Sequence, residues 1–75
     1  MFADEAVELA QEIVQMIEED ITEEQYAAGD EFFDSVMEKA KDIGQSIQER
    51  KRASPNQVRA LENMKKGVQK WIDKQ

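Results

Sequence analysis

Carboxylates spaced four apart are the side chains of this sequence with the most capacity for chemistry. Glu8 and Glu12, Glu19 and Glu23, Asp20 and Glu24, Asp30 and Asp34, and Asp34 and Glu38 repeat that spacing. Residues four apart share one face of a helix, so such pairs could chelate a hard cation such as calcium or magnesium. The residues that would complete a site are missing. The chain has no histidine and no cysteine, which removes the commonest general base, the commonest neutral metal ligand, and thiolate chemistry. It contains neither an EF-hand loop nor the Glu-x-x-His pair of a di-iron helical bundle. Acids without such partners ordinarily form a solvated face. No residue is therefore assigned to catalysis, to a cofactor or to a metal, and a non-enzymatic role is expected.

The distribution of charge says more than its total. Of the first 38 residues 13 are acidic and none is basic, whereas from Lys39 onward ten basic residues face four acidic ones, so the halves carry −13 and +6 and sum to −7. Small soluble domains usually intersperse the two signs. Segregation creates a molecular dipole and invites charged partners. Like-charged pairs four apart on a helix cost a few tenths of a kcal/mol each, which leaves their local benefit unexplained. Two clusters are the candidate contacts for a protein partner with a basic surface: Glu19, Asp20, Glu23 and Glu24, and then Asp30, Glu31 and Asp34 beside a glycine. The competing interpretation is a solubility coat, or pairing with the chain's own basic third helix.

An alternative surface is the basic stripe of Arg50, Lys51, Arg52, Arg59, Lys66, Lys70 and Lys74, which could follow a phosphate backbone. The net charge of −7 opposes that use. No aromatic residue interleaves with these bases as a stacking platform for single strands. Nucleic acid is accordingly not the expected partner.

The elements that must position these residues are helices. With 75 residues, one proline, three glycines and few β-branched side chains, the chain reads as one all-α domain of helix formers. A domain this short buries roughly 60% of its unfolded surface, so self-association is a natural aid to its small core. A first helix is predicted over about 4–19, with Ala6, Leu9, Ala10, Ile13, Val14, Met16 and Ile17 on its apolar arc. Thr22-Glu23-Glu24-Gln25 reads as a capping box opening a second helix. Tyr26, Phe33, Ala40 and Ile47 are seven apart, and this preserved phase favours one continuous helix over about 23–51, ~43 Å long. Gly29-Asp30 is the point where it could instead stop and restart. Ser54-Pro55-Asn56-Gln57 is a second capping box with proline at the first helical position. It opens a third helix over about 55–73, with Val58, Leu61, Met64, Val68, Trp71 and Ile72 on its apolar arc. Short connections between three amphipathic helices imply an antiparallel bundle. The heptad spacing and the charge segregation both point to a homo-oligomer. No apolar run approaches the ~18 residues of a membrane span, and the acidic start lacks a signal-peptide layout; a cytoplasmic protein is expected.

One resemblance bears on origin. Glu31-Phe32-Phe33-Asp34-Ser35-Val36 through Lys39-Ala40 and Ile43, followed by Ser54-Pro55-Asn56-Gln57-Val58-Arg59-Ala60-Leu61-Glu62-Asn63-Met64 and Gly67-Val68-Gln69-Lys70-Trp71, resembles small uncharacterised proteins of bacteriophages. It spans about half of the chain. The resemblance implies a phage or prophage origin and a host-cell cytoplasmic location. By analogy with small acidic phage proteins that redirect host enzymes, it implies an inhibitor or modulator. It supplies no site residue.

Overall fold

The computed structural model describes residues 2–75, which form four helices: α1 (Ala3–Glu19), α2 (Glu23–Ala28), α3 (Asp30–Arg50) and α4 (Pro55–Asp73). The chain is all-α, with no strand among the described residues. Both capping boxes form. Thr22 Oγ1 accepts the Gln25 N–H and Ser54 Oγ accepts the Gln57 N–H, both at 3.1 Å, while each glutamine carbonyl accepts the N–H of its cap residue. Each box satisfies backbone donors that a helix start would otherwise leave open.

The continuous helix favoured over 23–51 does not form, because the backbone breaks at Gly29. There φ is −128° and ψ is 35°, outside the helical region. The Gly29 N–H closes the last turn of α2 on the Gln25 carbonyl at 3.0 Å, and the Gly29 carbonyl accepts the Phe33 N–H at 2.9 Å to begin α3. A glycine is needed here for space. A Cβ would sit 2.9 Å from Trp71 Cζ2 and 3.3 Å from Phe33 Cε2. The sequence phase survives the break for a side-chain reason: Tyr26 still stacks on Phe33, with ring centroids 5.6 Å apart and planes inclined by 19°.

The three long helices run antiparallel in sequence order. α1 is the central partner, lying against both α3 and α4, which touch each other over a shorter stretch. Phe33, Ile13, Ile47, Leu61 and Val68 are the largest fully buried side chains, joined by Ala6, Ala40, Val36 and Ile17. The heptad seam is therefore consumed inside one chain: Phe33, Ala40 and Ile47 have no exposure and are not free to pair with a second copy. Ile21, in the α1–α2 turn, is also buried, as is Met16; Met37 and Met64 are half-buried at the core margin. The molecule measures 37 × 18 × 18 Å, so it has two distinct ends. No helix among the described residues is long and apolar enough to cross a membrane.

Candidate functional site: an acidic pole

The fold gathers both predicted acidic clusters at one end. α1 delivers Glu18 and Glu19 in its last turn and Asp20 at its C-cap; α2 delivers Glu23 and Glu24; the first turns of α3 deliver Asp30, Glu31 and Asp34. The end of α4 and the C-terminal residue after it fasten these pieces together. Gln25 Nε2 donates to the Trp71 carbonyl, and Gln75 Nε2 donates to the Asp20 carbonyl and, at 2.8 Å, to Gln25 Oε1. Beneath the acids lies an aromatic cluster. Phe33 meets Phe32 and Trp71 edge to face, each with centroids 5.2 Å apart, an arrangement that adds to plain area burial. Phe32 is the exposed member of the cluster, at 37%, and it lies over Gly67.

All seven predicted acidic residues of the two clusters lie exposed at the surface. The Tyr26 hydroxyl donates to Asp34 Oδ1. That hydrogen bond to a carboxylate, then desolvation, then the negative charges of Asp34 and Asp30, hold the phenol above its ordinary pKa of 10.0. Asp30 Oδ1 accepts the Glu31 N–H at 2.8 Å, and Glu19 accepts from Gln15 Nε2 at 3.0 Å. The single ion pair among the described residues lies away from the pole, between Lys65 Nζ and Glu12 Oε1 at 2.9 Å. The pole is thus not neutralised by ion pairs with the chain's own bases.

Glu19/Glu23 and Asp20/Glu24 are not helical pairs, because α1 ends at Glu19 and α2 begins only at Glu23. Glu23, Glu24, Asp30 and Glu31 all stand in first turns, where the helix dipole favours negative charge. These four acids therefore have a local benefit. Glu18 and Glu19 do not: they occupy the last turn of α1, which carries no base, where the dipole disfavours an anion.

The basic residues are dispersed rather than concentrated. Arg50, Lys51 and Arg52 form an exposed turn at the end opposite the pole, with Arg59 in the early turns of α4 on the same side. Lys66, Lys70 and Lys74 then run along the solvent face of α4 back toward the acids. The ammonium of Lys74 lies 5.3 Å from the centre of the Trp71 ring, so this half-buried indole is covered by a cation instead of being offered for base stacking. Lys51 adopts a left-handed conformation with φ 56° and closes α3 through its N–H on the Ile47 carbonyl at 2.7 Å. No group of three or more potential metal-ligating side chains occurs among the described residues. Neither a protein-family model, nor a curated protein, nor a solved structure matches this chain.

Proposed function

We propose that this chain is a non-enzymatic protein–protein interaction module, phage-encoded and working in the host cytoplasm. Its acidic pole docks on a basic surface of a host or phage protein that handles nucleic acid. One observation supports the reading above others: acids from α1, α2 and α3 converge on one end, at the surface, and among the described residues none of them forms an ion pair with a base of the same chain. Proteins that handle nucleic acid expose basic grooves, and a rod with an acidic tip fits such a groove by charge. The mechanism is occlusion of that groove, inhibiting or modulating the partner. The uncompensated field of the pole steers the encounter and raises the association rate.

The test begins with affinity capture from a bacterial lysate at low and at high salt, followed by binding kinetics on the captured protein. Two variants convert acids to amides, one at Glu19, Asp20, Glu23 and Glu24, the other at Asp30, Glu31 and Asp34. Each should associate more slowly and with a flatter salt dependence than the parent. Equal rates and affinities for both variants would reduce the pole to a solubility coat.

A further inference from the structure

A shallow groove runs between α1 and α3 on the side away from α4. Its floor is Ala10, Ala40 and Gly44, and its walls include the half-buried Val7 and Val14. The floor is low because the helices meet closely: a Cβ on Gly44 would lie 3.2 Å from Ala10 Cβ. Toward the α1 start, a second depression shares Val7 and Gln48 with the groove and ends at Phe2. Phe2 is 79% exposed, the most exposed large apolar side chain among the described residues. Much of the rim is uncharged amide: Gln11, Gln15, Gln45 and Gln48. That is unusual on a chain in which 36% of residues are charged.

The few charges along this path are sorted by helix. α1 contributes only acids, namely Asp4, Glu8 and Glu18, while α3 and its C-cap contribute only bases, namely Lys41 and Lys51. We infer that the groove is the interface of a symmetric dimer, its occupant a second copy of this chain related by a two-fold axis parallel to the helices. That axis sets α1 of one copy over α3 of the other, and the reverse, so each acid-lined wall meets a base-lined wall at the same height. With Ala10 level with Gly44, Asp4 stands at the level of Lys51 of the second copy, while Glu8 and Glu18 lie about 7 Å along the axis from Lys51 and Lys41, within the span of the long side chains. A two-fold axis across the helices would set α1 against α1 and oppose acid to acid. The resulting core of α1, α3 and their two symmetry mates has antiparallel neighbours throughout, as in a four-helix bundle. It also buries Phe2, Val7 and Val14. An isologous interface needs such a self-complementary surface, and the near-neutral groove is where two copies of net charge −7 meet with least repulsion.

The experiment is sedimentation equilibrium of the parent chain and of two surface variants, with circular dichroism confirming that each is folded. One variant carries Lys41→Glu and Lys51→Glu; the other carries Asp4→Lys and Glu18→Lys. The parent should dimerise within the micromolar-to-millimolar range. Each variant alone places like charges across the interface and should dimerise at least about tenfold more weakly. Mixed together they restore opposite charges across the interface, and a heterodimer should recover affinity near that of the parent. A parent that stays monomeric throughout overturns the inference, leaving the groove to a different occupant or to solvent. Variants that self-associate as tightly as the parent, a mixture without recovery, or an open-ended assembly overturn it as well. The acidic-pole proposal does not depend on this result, because the bases and the Asp4 and Glu8 carboxylates of the groove stay in place when the pole is converted to amides.

Discussion

Tyr26 and Asp34 join two helices across the Gly29 break: the phenol on α2 donates to the carboxylate on α3, eight residues later. The same ring stacks on Phe33, so one side chain fixes the angle between α2 and α3 through both an apolar and a polar contact. Tyr26 is the chain's single tyrosine, which makes its ionisation directly readable by ultraviolet absorbance. Its pKa should lie above 10.0 in the folded protein and move back toward that value in Asp34→Asn, because the carboxylate that disfavours the phenolate is gone. The sign for stability follows from the direction. The unfolded tyrosine ionises near 10.0 and the folded one later, so this contribution is complete below pH 10.0 and is lost as pH rises from there through the raised folded value. Urea melts across that window should show the loss in the parent and a smaller one in Asp34→Asn.

Core truncation gives the largest expected effects. Ile13 and Leu61 are fully buried, and Ile13→Ala or Leu61→Ala should each cost about 2–5 kcal/mol through lost burial and a residual cavity. For a domain with ~5–15 kcal/mol of total stability, the upper end of that range can abolish cooperative folding. Denaturant unfolding followed by circular dichroism measures it. A midpoint within error of the parent for both variants would show that these positions do not anchor the core.

Gly29→Ala tests the close approach of Trp71. The backbone there has negative φ, so alanine meets no left-handed penalty and its effect is chiefly steric. With Trp71 Cζ2 2.9 Å from the new Cβ, the indole must shift, at a cost of about 1–3 kcal/mol. In a Trp71→Leu background the same substitution should cost much less. The difference is a coupling energy from a double-mutant cycle, and a coupling near zero would reject steric conflict with the indole.

Lys51 holds a left-handed conformation, φ 56°, where a residue with a Cβ is disfavoured by about 1–2 kcal/mol and glycine is not. Glycine's greater freedom in the unfolded chain offsets part of this, by about 0.5–1 kcal/mol. Lys51→Gly should therefore stabilise the monomer by roughly 0.5–1 kcal/mol, read as a higher urea midpoint with an unchanged slope. A lower midpoint would mean that the lysine side chain supports the α3 end in some further way.

Much of the fold was legible because caps and periodicity agree. Thr22 with Gln25, and Ser54 with Pro55 and Gln57, announce two helix starts in residue types whose chemistry is local. The apolar arcs locate Ile13, Phe33, Ile47, Leu61 and Val68 without reference to partners. Gly29 was ambiguous for a tertiary reason: what crowds the break is Trp71, 42 residues away in the chain, and no local pattern records that contact. The same limit applies to the pole. The acids were visible as clusters, but their meeting at one end depends on α1 finishing beside the start of α3. Gln25 looked like a cap alone, and its second bond, to the Trp71 carbonyl, has no sequence signal. The sorting of acids and bases along the α1–α3 groove was equally hidden, since it needs the antiparallel register. The charge split between the halves of the chain was its faint trace.

The slenderness of the molecule limits what a single tip can hold. With a backbone framework 18 × 18 Å in cross-section and 37 Å long, the tip offers a much smaller contact face than a flank of the molecule, whereas a standard interface uses ~800 Å² of each partner. End-on contact alone therefore favours rapid, short-lived engagement, and durable capture requires the tip to sink into a cleft wide enough to grip its flanks. The inferred two-fold axis offers another route. Because it runs along the helices, it sets two tips side by side and facing the same way, so a partner with two basic patches would be held by both. Such bivalency lengthens residence without any new contact chemistry.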